Sequence, residues 1–562
     1  MDRRNFFNLI AEQKEKLREL KEPAVPLEYA PMGFEIKEGL EPYAGTWTEE
    51  DSAHLLRRTM FGYYRSQLAE ATTLGKDASI DKLLTKIALP TPPLNVSPND
   101  TTVPVGQTWI NAAPDGLVEG YRINSFKMWW AIQMLEPKFS ITEKMTFFWH
   151  NHFATETDIT RIGKFIYNHN TLLRDNALGN FKDLVAKVTI DANMLVYLNG
   201  NSNTAGAPNE NYARELLELF TVGKGPQIAP GNYTNYTEDD IKSAAKVLTG
   251  WNLNRQTGAV TFTSNKHDKT TKQFSTIFGK KQITNNGDKE YLHLIDMIFA
   301  NEAASKHICR KLYRYFVFYN IDEKIETEII EPLAKLLRDS NFDIKPVLKT
   351  LLSSAHFFSA ELRGAMIKNP LDFVFNFIKQ FDLKIPSEKP NQNTLVVDTY
   401  QSVNVIIVYY CILLDLYLAD PPNVAGYSAY YQIPSFYHLW LSSVTIANRL
   451  KFTDGLIAAG YKNGSISIKV NHLTFAMSIP NYKDVDLFIE NVVKLLMPKP
   501  LTQTQMDFLK LVLLQGVPDY TWGEQWVLYE KNKNDKTVSD GLTNKMIYLL
   551  TVIGSMSEYQ LM

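Results

Sequence analysis

Side chains that could bind a metal ion or transfer protons are concentrated in one part of this sequence. His150 and His152 lie two positions apart in "TFFWHNHFAT". Imidazoles in an H-x-H pattern are frequent metal ligands, although on a continuing helix the two rings would diverge. His267 and Asp268, adjacent in "NKHDKT", have the composition of a general base and its orienting carboxylate. His169, in "YNHN", is a further imidazole nearby.

The segment "PNENYARELLELFTVGKG", residues 208–225, predicts a helix with polar groups in unusual places. Pro208 suits a first helical turn, and Gly223 supplies a stop. Asn209 falls in the middle of the apolar stripe, and Glu215 falls at its edge. These two could be satisfied by neighbouring backbone or an arginine, or they could belong to a functional polar pocket.

Asp191 lies in "FKDLVAKVTIDANMLVYLN", which we predict to be one helix over 181–198. Its carboxylate would stand in the centre of an apolar face. A carboxylate there needs a strong partner, because burial otherwise raises its pKa. Arg214, a histidine or a metal ion would serve, and a structural ion pair is the alternative to a functional site.

These residues can be grouped by the role their chemistry suggests. The predicted metal ligands are His150, His152, Asp191 and Glu210. The predicted catalytic residues are Glu215, His267, Asp268 and Arg214. The predicted cofactor-binding amides are Asn209 and Asn211. Each could instead be a polar residue satisfied within the fold, and Glu210 with Arg214 has the spacing of a helical ion pair.

Helical periodicity dominates the chain and predicts the elements that must position these groups. The predicted helices cover 50–60, 79–88, 116–136, 140–150, 159–175, 181–198, 208–222, 237–249, 289–318, 324–338, 344–355, 369–381, 482–497, 502–515 and 541–555. Strand-like alternation is confined to "GAVTFTS" and "SISIKV". We therefore predict a mainly α fold, a large multi-helix globular protein with one or two small β ribbons.

The domain organisation follows from polar and proline-rich stretches. The predicted units are a polar N-terminal arm (1–45), a helical segment (46–88), a Pro-rich linker (89–106), a central helical body with the candidate site (107–383) and a C-terminal helical part (384–562). No convincing internal repeat is present.

Composition excludes several classes of protein. The chain has 59 Lys and Arg against 61 Asp and Glu, a net charge of −2, which gives no electrostatic basis for binding nucleic acid. Cys309 and Cys411 are too few for a disulfide framework and predict buried thiols. The most apolar stretch, 403–419, contains Asn404 and Asp415, so we predict a core helix and no transmembrane segment.

Arg3 and Arg4, followed by two phenylalanines, resemble the core of a twin-arginine export signal. The apolar run that follows is too short and too interrupted for a signal peptide. The sequence alone therefore predicts a soluble cytoplasmic protein with a polar N-terminal helix.

Several ordered segments resemble one bacterial family, the domain-of-unknown-function family 1800. They are "HLLRRTMFG", "EKMTFFWHNHF", "DANMLVYLNGNSN", "PNENYARELLELFTVG", "YTEDDIKSAAKVLTGW" and "RKLYRYFV". The resemblance implies no particular reaction. It implies a companion protein of family 1501, which resembles alkaline phosphatases and sulfatases, and exported relatives leave a periplasmic or envelope location open. The chain has Ala425-Gly426-Tyr427 where relatives have Lys-Gly-Trp.

Two hypotheses follow from these patterns. The first is an enzyme, a metal-dependent hydrolase or related catalyst that uses a divalent transition metal. It requires the polar residues to converge in one pocket. The second is a non-catalytic helical scaffold or partner of the companion protein. It requires closed, solvent-inaccessible polar clusters. No P-loop, H-E-x-x-H, G-x-G-x-x-G or G-x-S-x-G motif favours a specific reaction class.

Overall fold

Side-chain caps determine where many of the helices begin. A computed structural model describes residues 38–229, 232–385, 393–463 and 466–562. At Thr48 the hydroxyl accepts from the Asp51 backbone N–H, while the Asp51 carboxylate accepts from the Thr48 N–H. Thr237 and Asp240 form the same reciprocal arrangement. Each box satisfies two backbone donors that a helix start leaves free.

The helices up to residue 247 include those that carry the predicted site. They are α1 Glu49–Thr59, α2 Arg65–Leu74, α3 Lys76–Leu83, α4 Glu119–Leu135, α5 Thr142–His152, α6 Thr157–Thr160, α7 Gly163–Asp175, α8 Phe181–Thr189, α9 Ala192–Tyr197, α10 Glu210–Glu215 and α11 Glu238–Val247. Helix α10 continues directly into a π-helical segment, Leu216–Phe220, called the π turn below.

The remaining helices complete the body around them. They are α12 Glu290–Phe299, α13 Glu302–Phe316, α14 Glu323–Ile325, α15 Glu331–Asp339, α16 Ile344–Ser353, α17 Pro370–Gln380, α18 Asn393–Val403, α19 Tyr409–Leu413, α20 Ser443–Ala458, α21 His472–Met477, α22 Val485–Leu496, α23 Gln503–Leu514, α24 Tyr520–Lys531 and α25 Lys536–Ser555. Further π-helical segments, Glu326–Ile330 and Asn404–Val408, join α14 to α15 and α18 to α19.

The strands form small antiparallel ribbons at the surface. In the described residues these pair β1 Gln227–Ala229 with β2 Asn232–Tyr233, β3 Trp251–Leu253 with β4 Val260–Phe262, β5 Lys272–Gln273 with β6 Gln282–Ile283, and β7 Tyr461–Asn463 with β8 Ile466–Ile468. The mainly α prediction is confirmed. The ribbons are more numerous than expected, because two- and three-residue strands leave almost no alternation in a sequence.

Helices α5 and α17 lie at the centre of the core. All residues of α17 are buried, as are all of α5 except Glu143. A helix buried on every side cannot show a polar stripe, and both carry charged groups that must find partners inside. The described residues from Glu38 onward form one compact unit. The predicted arm lies mostly, and Arg3 and Arg4 entirely, outside the described residues.

One predicted helix boundary is wrong, and one predicted linker has contacts that the sequence did not indicate. The helix predicted over 181–198 is two helices, α8 and α9, because Asp191 caps α9. The Pro-rich stretch 89–106 is irregular, as expected, but it is packed against α4. There Asp100 is buried and accepts from Arg122 Nε at 2.9 Å. The division into five units is otherwise an untested prediction.

Gly426, in the segment Ala425-Gly426-Tyr427, contacts the end of α5. Its φ is +95°, and an added Cβ would lie 2.4 Å from Asn151 Oδ1 and 2.5 Å from the Asn151 carbonyl oxygen. The neighbouring Tyr427 N–H donates to Asn151 Oδ1 at 2.8 Å. Only glycine therefore permits this approach.

We expect Gly426→Ala to lower the free energy of unfolding by about 2 kcal/mol, through backbone strain and displacement of Asn151. Gly75→Ala is the matched control, because Gly75 has φ +79° but open space around the position of a Cβ. It should cost about 1 kcal/mol, the backbone contribution alone. Urea unfolding of both variants measures the difference. Equal losses would contradict the contact with α5.

Candidate functional site

The π turn is the local feature around which several predicted residues are arranged. A π-helical turn is wider than an α-helical one and displaces carbonyl groups from their usual partners. The carbonyl oxygen of Phe220 accepts from His152 Nε2 at 3.0 Å. The carbonyl oxygen of Leu219 accepts from His307 Nε2 at 3.0 Å and from Lys311 Nζ at 3.2 Å. Two histidines and one lysine thus satisfy the end of this turn.

His152 is fully engaged in this arrangement. Its Nδ1 accepts from Lys311 Nζ at 3.1 Å, so both ring nitrogens have partners. Burial lowers the pKa of His152 well below its ordinary value, and the neighbouring Lys311 adds to the effect. Burial also lowers the pKa of Lys311 to about 7, aided by Arg314. A neutral imidazole with both nitrogens occupied holds the turn in place and has no lone pair free for a metal ion.

His150, two residues earlier on α5, is in a different environment. Its ring lies edge-on to Trp130, with centroids 5.3 Å apart. Its Nε2 is buried and has no hydrogen-bond partner in the part of the chain that the structure describes. Burial lowers the pKa of His150 to about 3, with a smaller contribution from His169. The two imidazoles of the H-x-H pattern therefore lie in different environments. His152 has partners on both ring nitrogens, whereas His150 Nε2 has none among the described residues.

Asp191 is paired with His169 and not with Arg214. Asp191 Oδ2 accepts from His169 Nδ1 at 2.9 Å and from the Met194 backbone N–H at 3.0 Å. The carboxylate thus caps α9 and orients the imidazole on α7. His169 interacts with both His150 and Asp191. It hydrogen-bonds to Asp191, and its charge contributes to the lowered pKa of His150.

His267 and Asp268 belong to a closed network. His267 contacts Glu290 Oε2 at 2.8 Å through Nε2 and the Thr249 carbonyl oxygen at 2.9 Å through Nδ1. Lys272 Nζ lies 2.5 Å from Glu290 Oε1 and 3.7 Å from Asp268 Oδ1. His267, Lys272 and Glu290 are all buried. This geometry satisfies the charges of the three buried residues internally, while Asp268 remains partly exposed.

The polar residues at the start of α10 have local partners. Asn209 caps the helix by accepting from the Asn211 N–H at 2.9 Å. Arg214 donates to both carboxylate oxygens of Glu238, at 2.8 and 2.7 Å. It also pairs with Glu210 at 3.3 Å, the i,i+4 contact that the spacing predicts. Asn211 is exposed.

Glu215 differs from all of these. It is partly exposed at the junction of α10 and the π turn, and it has no hydrogen-bond partner among the described residues. Burial, with a smaller contribution from the charge of Glu218, raises the pKa of Glu215 to about 7. Tyr197, which donates to Glu156 Oε1 at 2.9 Å, lies within the electrostatic influence of Glu215.

Sequence reasoning did not identify Glu156, Tyr197 or Glu218 as part of this site. Glu218 accepts from Tyr236 Oη at 2.6 Å and from Lys224 Nζ at 3.0 Å. An acidic residue one turn after Glu215 was the available signal for Glu218. Nothing in the sequence pairs Tyr197 with Glu156, because that contact joins separate elements.

The four predicted metal ligands do not converge. Within residues 38–229, 232–385, 393–463 and 466–562, no group of three or more His, Cys, Asp or Glu side chains has an arrangement that could hold a metal ion. His152, Asp191 and Glu210 instead have the protein partners described above. The metal-ligand assignment remains a prediction without support from this geometry.

The fold and the site define a mainly α protein with a π turn flanked by the buried His152, the half-buried His307 and the partly exposed Glu215. The chain belongs to the DUF1800 family of proteins of unknown function, whose family model matches residues 54–561. This confirms the resemblance drawn from the sequence segments. Searches of curated proteins and of solved structures give no significant match. Among the described helices, none has the length and apolar character needed to cross a membrane.

Proposed function

We propose that this protein is a hydrolase that uses Glu215 as its general acid–base residue. The observation that carries the proposal is the position of Glu215, a partly exposed carboxyl group with no hydrogen-bond partner in the described part of the chain. Its neighbour Glu218 instead accepts from Tyr236 and Lys224, so Glu215 is the carboxyl group of this turn that is left open to solvent. π-helical segments occur frequently at functional sites.

The electrostatic environment suits Glu215 to this role. A pKa of about 7 lets the carboxyl group give up and regain a proton near neutral pH. Desolvation is the largest cause, and the Glu218 carboxylate is the second. Arg214 and Lys224 lower the pKa, but both have other carboxylate partners. Displacement of a carboxyl pKa toward neutrality is a recurrent property of catalytic acids.

Tyr197 lies within the electrostatic influence of Glu215 and donates to Glu156, so it links a second carboxylate to this site. Inverting glycoside hydrolases use two carboxyl groups in this way, one protonating the leaving group and the other activating water. In this proposal Glu215 protonates the leaving group and Glu156, held by Tyr197, is the candidate to orient water. A metal-dependent hydrolase, the form predicted from the sequence, would need metal ligands other than the paired side chains described above.

The closed networks favour one alternative, a non-catalytic scaffold. His152 at the π turn and His267 beside Glu290 both have the protein partners that a structural role requires. A scaffold acting with the companion family 1501 protein would need these networks but would not need the properties of Glu215. The role of Glu215 therefore separates the two functions.

The test is a screen of the purified protein against chromogenic carboxylic esters, phosphate esters and glycosides. We expect turnover of one class, with a loss of about 10²- to 10⁴-fold in kcat/KM for Glu215→Gln. Glu331→Gln is the control, because Glu331 is an exposed glutamate on α15 that pairs with Lys306. Turnover that survives Glu215→Gln would reject the assignment, and absence of turnover across all classes would favour the scaffold.

A further inference from the structure

A wide cleft lies between the start of α2, the end of α4, residues 381–385, α18 and the segment from β8 to α21. Its volume is about 910 Å³, within the range of about 300–1,000 Å³ that is usual for small-molecule sites. The described residues that line it include none of the neighbours of Glu215 named above. We call it the α2–α21 cleft.

The floor of the α2–α21 cleft is apolar. Its buried side chains come from α4, from the residue that follows α17, and from α18, β8 and α21. They include Ile132, Leu135, Phe381, Val403, Ile468 and Phe475. Apolar side chains gain free energy by contacting hydrocarbon in place of water. The floor therefore favours a ligand with an apolar body.

The rim of the cleft is polar and exposed to solvent. The rim residues include Ser66, Lys469, Asn471, Thr474 and Ser478. Their hydroxyl, amide and ammonium groups can hydrogen-bond to a polar ligand group that stays close to water. A polar rim above a buried apolar floor suits an amphipathic molecule, with one end for each part of the cleft.

Arg65 is the cation of the cleft that is best placed to bind the polar end of such a ligand. Its half-buried guanidinium lies over the Phe475 ring, 4.8 Å from the centroid. Arg65 Nη1 donates to the Ser478 hydroxyl and to the Ser478 carbonyl oxygen at 3.4 Å. In the part of the chain that the structure describes, Arg65 Nη2 has no hydrogen bond and Arg65 has no ion pair. The ring and Ser478 thus hold a guanidinium that can still donate to an acceptor.

The charges that line the cleft favour an anionic ligand. Three cations, Arg65, Lys384 and Lys469, stand against two carboxylates, Asp382 and Glu136, so one formal positive charge is in excess. Asp382 acts on Arg65 electrostatically, but its carboxylate pairs with Lys384 at 2.6 Å. Lys469, like Arg65, takes part in no ion pair among the described residues. A ligand with a single negative charge would balance the excess.

We infer that the α2–α21 cleft is a binding site for an amphipathic carboxylate, a molecule with a hydrocarbon body and one carboxylate group, such as a medium-chain fatty acid. The hydrocarbon lies on the apolar floor, and the carboxylate accepts from Arg65 at the rim. Arginine suits this task because its planar guanidinium matches the geometry of a carboxylate. The inference is independent of the proposed function, because the cleft uses no residue assigned to act with Glu215.

The probe is decanoate, titrated into the full-length protein in a calorimeter below its micelle concentration. We expect one molecule to bind per chain. Affinity should rise about fourfold for each CH₂ group added from hexanoate to decanoate, because each added group is buried on the floor. Decanol and decyltrimethylammonium have the same hydrocarbon chain without the negative charge. Both should bind at least about tenfold more weakly than decanoate.

Arg65→Gln removes the charge and should lower the affinity for decanoate by about 10- to 100-fold while leaving that for decanol unchanged. Arg314→Gln is the matched control. Arg314 is also half-buried, lies 5.0 Å from the centroid of the Phe436 ring and donates to the Tyr319 carbonyl oxygen at 3.2 Å, but it does not line the cleft. This variant should bind decanoate as the wild type does. The comparison of ligands on the wild type stands even where a variant folds poorly.

Crystals of the protein with 10-bromodecanoate locate the ligand, because bromine scatters anomalously. A bromine peak over the apolar floor, with the carboxylate at Arg65, would establish the site. Equal affinities for decanoate and decanol would overturn the choice of an anion. Binding without saturation, or an equal loss of affinity in Arg65→Gln and Arg314→Gln, would exclude a specific site. Density for residues 386–392 in the cleft would show that the chain itself occupies it.

Discussion

Replacing Glu290 with glutamine is expected to lower the free energy of unfolding by about 3–5 kcal/mol, the cost of leaving a buried charge without its partner. Glu290 and Lys272 have fully buried side chains and lie 2.5 Å apart. His267 contacts the other carboxylate oxygen at 2.8 Å. A neutral amide would leave the Lys272 ammonium facing a carbonyl oxygen and the more distant Asp268.

Urea unfolding of Glu290→Gln measures this loss, and Glu331→Gln is the control. Glu331 pairs with Lys306 at 2.6 Å with nearly half of its side chain exposed, so its replacement should leave the urea unfolding curve nearly unchanged. The experiment also decides the role predicted for His267. A stable Glu290→Gln protein that has lost hydrolytic activity would contradict the structural network and restore His267 and Asp268 as catalytic candidates.

Much of the fold could be predicted because its signals are local. Helix α1 shows both the apolar spacing and the capping residues that define its start, and the observed bounds differ from the predicted ones by one residue at each end. The exception at Asp191 has a local cause. An aspartate can cap a new helix by accepting from its third residue, and periodicity alone continued through the break.

The site was less predictable because its geometry depends on contacts between distant positions. A π turn leaves no periodic signal in the sequence, so the Phe220 carbonyl oxygen that accepts from His152 could not be expected. The other two side chains that donate to the π turn are His307 and Lys311. They lie 88 and 92 positions from Leu219, whose carbonyl oxygen accepts from both. Glu215 was identified by its place at the edge of the apolar stripe, but its unpaired state depends on Arg214 being bound by Glu238.

If Glu215 acts as the general acid, kcat/KM should fall about tenfold per pH unit above pH 7, because the reaction needs its protonated form. Burial is the main cause that raises its pKa from the ordinary 4.5 to about 7. A pH–rate profile of the wild type on the substrate class found by screening measures the falling limb. Glu331→Gln should show the same limb, while residual activity in Glu215→Gln should lack it.

The same pKa predicts how stability depends on pH, which tests Glu215 even without a substrate. Because the folded-state pKa lies above the ordinary value, the folded protein binds this proton more tightly. Its contribution to stability is complete below pH 4.5 and is lost as the pH rises through 7. Glutamine does not titrate, so Glu215→Gln does not show this loss. Between pH 4.5 and 8 the free energy of unfolding of the variant should rise by about 1 kcal/mol relative to that of the wild type, a value reduced because Glu215 is partly exposed.

Urea unfolding at a series of pH values gives this difference directly. A constant difference between the two proteins would mean that Glu215 titrates normally, and the general-acid assignment would then lose its physical basis. We expect the difference in free energy of unfolding between the two proteins to grow as the pH rises. Found together with a fall of kcat/KM above pH 7, it would tie both effects to one carboxyl group. Because a scaffold would show the stability effect alone, the pair of measurements separates a strained structural glutamate from a catalytic one.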